Sequence, residues 1–148
     1  MILFRLEHIE DKGLYRNVEL KMLGYFSSLV KAKEGIQFFQ DLKGFSRSPK
    51  GFIIREIALR NADHLEYLYE LEQQIHDASY DYWYERTLGV YATLTDCEKS
   101  RDRFLSLNEN TFSNCQLTCE LYVNCIKVDE CSQFWGEGFD TTVGGKEV

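Results

Sequence analysis

The residues with the greatest chemical potential are five cysteines and three histidines. Four of the cysteines lie between Cys115 and Cys131, separated by three, five and five residues, with no histidine nearby. This spacing lacks the short C-x₂-C of a zinc site, so we predict no metal. Nothing around His8, His64 or His76 pairs one of them with a thiolate. We therefore expect no cofactor and no catalytic residues.

The acidic residues form a more distinctive pattern. Residues 61–85 contain seven Asp or Glu and no Lys or Arg, whereas the remaining chain is balanced, with 17 acidic and 17 basic residues. The spacing of Leu65, Leu68, Leu71 and Ile75 predicts a helix over 63–85, on which most of the carboxylates form one stripe. Six aromatic residues in the same segment favour a contact surface. The predicted partner-binding residues are Glu66, Glu70, Asp77, Asp81, Tyr82, Trp83, Tyr84 and Glu85.

The partner expected for this stripe is a basic surface of another protein, such as a groove that binds nucleic acid. The net charge of −7 argues against direct binding to nucleic acid or to an anionic membrane. One charge per about 5.5 Å of helix is also too sparse to imitate duplex DNA. Two simpler interpretations stay open, namely a solvated helix face and neutralisation by basic residues of the same chain. A homodimer formed through the aromatic residues also stays open.

The elements that must position these residues predict an α+β fold. Alternation predicts strands at 2–9, 52–57, 87–93 and 115–128, and helical spacing or capping predicts helices starting at Ser28, Asp63 and Thr95. We expect a single compact domain over residues 1–133, with a small, mainly antiparallel sheet and about three helices. Residues 134–148 are expected to form an irregular tail. We find no internal repeat.

Localisation follows from the cysteines and the N-terminus. An odd number of cysteines without paired spacing is typical of a reducing compartment. Arg5 and Glu7 interrupt the apolar start too early for a signal peptide, and no apolar run is long enough to span a bilayer. We therefore predict a cytoplasmic protein with no membrane association.

An enzymatic alternative is an ADP-ribosyltransferase-like protein that uses NAD. In such a fold a strand arginine holds the dinucleotide, a small hydroxyl residue supports it and a late glutamate stabilises the ribosyl cation. Arg5, Thr93 and either Glu120 or Glu130 occur in this order. All are common residue types, and Arg5 equally suits a structural ion pair in a strand, so we favour a protein that is not an enzyme.

Several short motifs resemble small uncharacterised phage and bacterial proteins. They are Leu3-Phe4-Arg5-Leu6-Glu7, Gly13-x-Tyr15-Arg16 and Gly89-Val90-Tyr91-Ala92-Thr93-Leu94 followed by Arg101-x-x-Phe104. The resemblance implies a phage or mobile-element origin and no particular activity. Together with the acidic stripe, it leads us to expect a small acidic binding or inhibitor protein, phage-encoded and directed against a host defence protein.

Overall fold

The computed structural model describes residues 1–10, 19–78, 82–107, 117–139, 142–143 and 146–147. The chain there forms strands and two α-helices. In chain order these elements are β1 (Ile2–Glu10), β2 (Glu19–Phe26), α1 (Leu29–Phe39), β3 (Phe52–Ala58), β4 (Tyr67–Asp77), β5 (Tyr82–Tyr91), α2 (Leu94–Leu107), β6 (Leu117–Lys127), β7 (Thr142–Val143) and β8 (Lys146–Glu147). A short 3₁₀ turn, Phe45–Arg47, precedes β3.

The strands form three antiparallel sheets. Two sheets have three strands each, in the orders β2-β1-β3 and β5-β4-β6, and the third is the small β7-β8 pair. The predicted α+β fold with antiparallel pairing is confirmed. The number of helices differs, since the described residues contain two α-helices rather than about three.

Contacts divide the chain into two compact units. The N-terminal unit comprises Ile2–Ala58 together with Val128–Val148, and the central unit comprises Met1 with Leu59–Lys127. The sequence analysis describes residues 1–133 as one domain followed by a tail. Contacts group the C-terminal residues with β1, β2 and β3, and the predicted boundary at residue 133 stays a prediction.

Most of the local predictions agree with the structure. Strands are present at β1, β3 and β6, and helices follow Ser28 and Thr93. Ser28 Oγ accepts the Lys31 backbone N–H at 3.2 Å and so caps α1. In α2 the equivalent cap is Thr93, whose Oγ1 accepts the Asp96 N–H at 3.2 Å. The predicted capping box at Thr95 therefore lies two residues inside the true start.

The predicted helix over 63–85 is wrong. This segment contains strand β4 and the first part of strand β5, which pair antiparallel with each other. Leu68 lies on one face of β4, while Leu71 and Ile75 lie on the other, and all three are buried. Apolar residues on both faces of a buried strand give intervals of three and four, which imitate a helix. Tyrosine-rich sequence favours the strand.

The structure also contains an internal repeat that the sequence analysis missed. Each unit contains two strands, a helix and a third strand, and the first strand is central in both sheets. The pairing register of the first two strands is the same in both units after a shift of 65 residues. Leu6 pairs with Gly24, and Leu71 pairs with Gly89.

A β-bulge at the same position supports this equivalence. In the N-terminal unit Glu7 pairs with Met22, which leaves Leu23 as the extra residue of β2. In the central unit the corresponding extra residue is Leu88. The helix caps Ser28 and Thr93 also differ by 65 residues. The chain therefore contains two structurally equivalent ββαβ units.

The core of the N-terminal unit lies between its sheet, α1 and the C-terminal residues. Its buried members are apolar and come from β1, β2, α1 and the 3₁₀ turn: Leu6, Leu23, Phe26, Ala32, Phe39 and Phe45. Trp135 and Phe139 pack against this cluster. Residues 134–139, which were predicted to be part of an irregular tail, therefore include side chains that complete the core.

A glycine fixes the close approach of this C-terminal segment. Gly138 has φ +81°, and a Cβ atom there would overlap the carbonyl oxygen of Lys43. The adjacent Phe139 N–H donates to that same oxygen at 2.8 Å. The position therefore requires both the backbone freedom and the small size of glycine.

We expect Gly138→Ala to lower the free energy of unfolding by about 1–3 kcal/mol, because it adds both backbone strain and a clash. Urea unfolding followed by tryptophan fluorescence would measure this. Gly136→Ala is the matched control, since its Cβ would be 3.3 Å from the nearest atom, the Gln133 oxygen. Equal losses in both variants would contradict the assigned role of Gly138.

Candidate functional site

Three carboxylates lie on one face of the sheet of the central unit. Gln74 of β4 is in register with Glu85 of β5 and with Glu120 of β6. Glu72 lies on the same face, because side chains two residues apart in a strand point the same way. With strands about 4.8 Å apart, Glu85 and Glu120 are separated at the backbone by about 10 Å. The acidic sheet face consists of Glu72, Gln74, Glu85, Glu120, Tyr122 and Asn124.

Hydrogen bonds hold these side chains in place. Glu72 accepts from Gln74 Nε2 at 3.1 Å and from Asn124 Nδ2 at 2.6 Å. The Tyr122 hydroxyl donates to Glu120. Glu85, Glu120 and Tyr122 are exposed, and Glu72 is half-buried. The face is therefore ordered by its own amide and hydroxyl groups yet open to solvent.

The surroundings of Glu85 on this face disfavour its ionisation. Partial desolvation and then the neighbouring carboxylate of Glu72 raise the pKa of Glu85. A hydrogen bond to Glu120 is the main factor that raises the pKa of Tyr122. A cation placed among these groups would reduce their repulsion. The electrostatics of the face therefore favour a positively charged ligand.

No Lys or Arg in the described part of this sheet lies on the acidic sheet face. In the described parts of β4, β5 and β6, the only Lys and Arg residues are Arg86 and Lys127. Arg86 is in register with Gln73, and Lys127 with Tyr67, on the opposite face. Arg86 Nε donates to Gln73 Oε1 at 2.5 Å. Arg86 and Lys127 therefore lie on the face opposite Glu72, Glu85 and Glu120.

The structure redistributes the eight predicted partner-binding residues. Glu70 and Glu85 lie on the same sheet face, but Glu70 is only 4% exposed. Tyr84 is in register with Ile75 and lies on the opposite face. Glu66 is exposed and precedes β4, and Asp77 ends it. The continuous acidic stripe therefore does not exist.

The remaining three predicted residues fall in less fully described positions. Asp81 lies outside the described residues. Tyr82 and Trp83 belong to β5, but their side chains are not among those described. Sequence analysis missed Glu72, Glu120, Tyr122 and Asn124 as members of the face. Their alternate spacing, Glu70 with Glu72 and Glu120 with Tyr122 and Asn124, is the signal that a strand interpretation would have used.

A second polar cluster is buried in the N-terminal unit. His8 is completely buried, and its Nε2–H donates to the Ser48 carbonyl oxygen at 2.9 Å, which requires the Nε2–H tautomer. Lys21, in register with His8, is 2% exposed. Its Nζ lies 3.7 Å from Glu10 Oε2. Aromatic rings surround both side chains, with Phe45 and Phe52 each within 5 Å of the His8 ring centroid.

This burial changes the titration of His8. Desolvation is the main cause that lowers its pKa, and the charge of Lys21 acts in the same direction. The hydrogen bond to Ser48 and the charge of Glu10 oppose this but are outweighed. His8 Nδ1 has no hydrogen-bond partner among the described residues. A second proton there would place an imidazolium beside the Lys21 ammonium inside an apolar core.

The residues of the ADP-ribosyltransferase alternative already make structural contacts. Arg5 Nε lies 2.9 Å from Glu7 Oε1, and Arg55 Nε lies 2.9 Å from Glu7 Oε2, so two arginines flank one buried carboxylate. Thr93 caps α2. Arg5 therefore has the ion-pair role that the sequence analysis favoured.

The cysteines and histidines form no metal site in the part of the chain that the structure describes. The four described cysteines, Cys97, Cys119, Cys125 and Cys131, are free thiols. Burial raises the pKa of the Cys97 and Cys131 thiols, which disfavours the reactive thiolate. Cys125 is exposed.

Neither α1 nor α2, the described helices, is long and apolar enough to cross a membrane.

Comparison of the chain with protein-family models, curated proteins and solved structures finds no match in any of the three.

We expect the stability of the protein to fall below about pH 6.5 because of His8. Its folded pKa is lowered, so its contribution is complete above the unfolded pKa and is lost as the pH falls towards the folded value. The maximum slope from one such group is about 1.4 kcal/mol per pH unit. Urea unfolding between pH 5 and 8 would measure it. His8→Gln, which copies the equivalent residue Gln73, should flatten the dependence; an unchanged slope would contradict this assignment.

We expect Glu85→Gln to stabilise the protein at pH 7 by about a few tenths of a kcal/mol, because it removes like-charge repulsion across the strands. The folded pKa of Glu85 is raised, so wild-type stability falls as the pH rises through and above the unfolded value. The gain should therefore disappear near pH 4. Thermal unfolding at both pH values would test this, with Glu34→Gln, at an exposed position of α1, as the control. A gain that is equal at both pH values would count against repulsion.

Proposed function

We propose that the protein is a non-enzymatic binding protein that docks its acidic sheet face onto a basic surface of another protein. The observation that carries this proposal is the arrangement of Glu72, Glu85 and Glu120 on one face of three strands. As in the prediction from the sequence, the proposed contact surface is acidic, but it lies on a sheet rather than on a helix. Of the predicted residues, Glu85 belongs to this surface, whereas Glu70 lies on the same side of the sheet but is buried.

The spacing supports a protein partner with several basic side chains. Carboxylates separated by about 10 Å at the backbone can each accept one lysine or arginine, whereas a single metal ion needs ligands that converge within about 2.5 Å of it. Tyr122 adds an aromatic side chain that is 40% exposed beside Glu120. Tyrosine at an interface supplies apolar area and a hydroxyl group together.

A partner surface whose basic residues complement these carboxylates has the same positive charge as a surface that binds nucleic-acid phosphates. Occupation of such a surface would exclude nucleic acid from it, and this is how the proposed inhibition would work. We also propose a phage origin and a role against host defence, which are supported only by the resemblance of the short motifs. Dimerisation through the aromatic residues is a separate hypothesis that light scattering would test.

We expect the triple variant Glu72→Gln, Glu85→Gln and Glu120→Gln to bind an Arg- and Lys-rich test peptide at least about tenfold more weakly than wild type, because it loses three charge-assisted contacts. Fluorescence anisotropy at low ionic strength would measure the affinity. Wild-type binding should also weaken as salt rises.

The matched control removes three exposed acidic charges from the N-terminal unit, through Glu34→Gln, Asp41→Asn and Glu56→Gln. Its net charge equals that of the first variant, so it reports on overall charge alone. If both variants lose affinity equally, the acidic sheet face is not a specific site. Pull-down with the two variants would then show whether a cellular partner depends on the same three carboxylates.

A further inference from the structure

The repeat reveals a difference between the two units at the outer edge of the second strand. In the N-terminal unit residues 128–139, the C-terminal strap, run along β2. The Asp129 N–H donates to the Tyr25 oxygen at 2.8 Å, and the Ser132 N–H donates to the Leu23 oxygen at 2.7 Å. The strap therefore extends this edge by backbone hydrogen bonds.

Side chains of the strap cover a cation on β2. The Nζ of Lys21 lies 3.9 Å from the ring centroid of Phe139 and 5.2 Å from that of Trp135. These are cation–π distances, and they leave Lys21 almost inaccessible to solvent. The two aromatic residues thus complete a site whose cation comes from the strand.

The start of the strap is fixed by charge. The Asp129 carboxylate accepts from the Ser27 N–H at 2.7 Å and lies 2.7 Å from Lys31 Nζ. Burial raises the pKa of Asp129, but the contacts from Lys31 and Ser27 outweigh it, so the pKa is lowered overall. Asp129 is therefore bound as a carboxylate.

Among the residues that the structure describes, no loop or terminal segment donates such backbone hydrogen bonds to the corresponding edge of the central unit. The shift of 65 residues places Arg86 at the position of Lys21, and Leu88 and Val90 at those of Leu23 and Tyr25. Arg86 is exposed and Leu88 is half-buried, whereas Leu23 is completely buried. The strap follows β6 directly, so its counterpart in the repeat would be the chain that follows β3. That chain cannot take the same role, because residues 67–70 already form part of β4, at the centre of this sheet.

The charge at the start of this edge is reversed. The same shift places Asp96 at the position of Lys31, and Ala92 at that of Ser27. Asp96 is exposed in the first turn of α2. An aspartate like Asp129 would be repelled there, while a lysine or arginine would be attracted.

We propose that the outer edge of β5 binds an extended segment of a partner protein. The backbone N–H groups of this bound segment donate to the backbone carbonyls of Leu88 and Val90, just as those of the strap donate to the carbonyls of β2. A basic residue of the segment faces Asp96, and aromatic residues six and ten positions later cover Arg86. This site is separate from the acidic sheet face, and neither proposal depends on the other.

Two labelled peptides test the site on the full-length protein. One has the sequence of residues 128–139 with Cys131→Ser, and the other carries Asp129→Lys in addition. We expect the Asp129→Lys peptide to bind at least about fivefold more tightly in fluorescence anisotropy, because it exchanges repulsion by Asp96 for attraction. Replacement of Trp135 and Phe139 by Ala in this peptide should abolish binding.

Protein variants locate the bound peptide. Asp96→Lys should reverse the preference between the two peptides, and Arg86→Gln should weaken both. Glu56→Lys, which changes an exposed carboxylate of β3, should change neither. The Glu72, Glu85 and Glu120 triple variant should also bind normally, which separates this site from the acidic sheet face.

Three results would overturn the proposal. The first is no binding of either peptide. The second is a preference for the Asp129 peptide, which would indicate exchange with the strap on β2 instead. The third is a preference that Asp96→Lys leaves unchanged. Asp96 is exposed at a helix start, so this variant keeps the test informative even if Arg86→Gln unfolds the protein.

Discussion

The pairing of one central strand with a neighbour on each side is the constraint that shapes both units. β1 and β4 satisfy their backbone groups along both edges and bury side chains on both faces. Polar residues in these strands are therefore removed from water and must find partners. The contacts of Glu7 with two arginines and of Gln73 with Arg86 and Cys119 follow from this requirement.

The repeat shows how one framework carries two kinds of chemistry. The bulge, the helix cap and the central leucine keep their positions, because they determine the register and the start of the helix. The polar pair beside the bulge has diverged, from His8 and Lys21 to Gln73 and Arg86. The N-terminal unit buries its cation under aromatic rings, whereas the central unit leaves its cation exposed.

Residues 61–85 are acidic whether they form a helix or a hairpin, but the surface that their carboxylates form differs between the two. On a helix the carboxylates would have formed one long stripe. In the hairpin Glu70 is buried, Glu85 joins Glu72, and Glu120 arrives from a distant strand. The resulting surface spans three strands, and it contains a residue outside the acidic segment. The function proposed for this surface therefore depends on the register of the sheet, which no local sequence pattern specifies.

The sequence by itself determined the features that depend on neighbouring residues. Alternation identified β1 and β6, Ser28 identified the start of α1, and composition identified the excess of acidic charge. Only the tertiary structure decided between helix and strand for β4, because a strand buried on both faces has the same apolar intervals as a helix. It also decided which carboxylates meet and which cation is covered, since both depend on pairing between residues far apart in the chain.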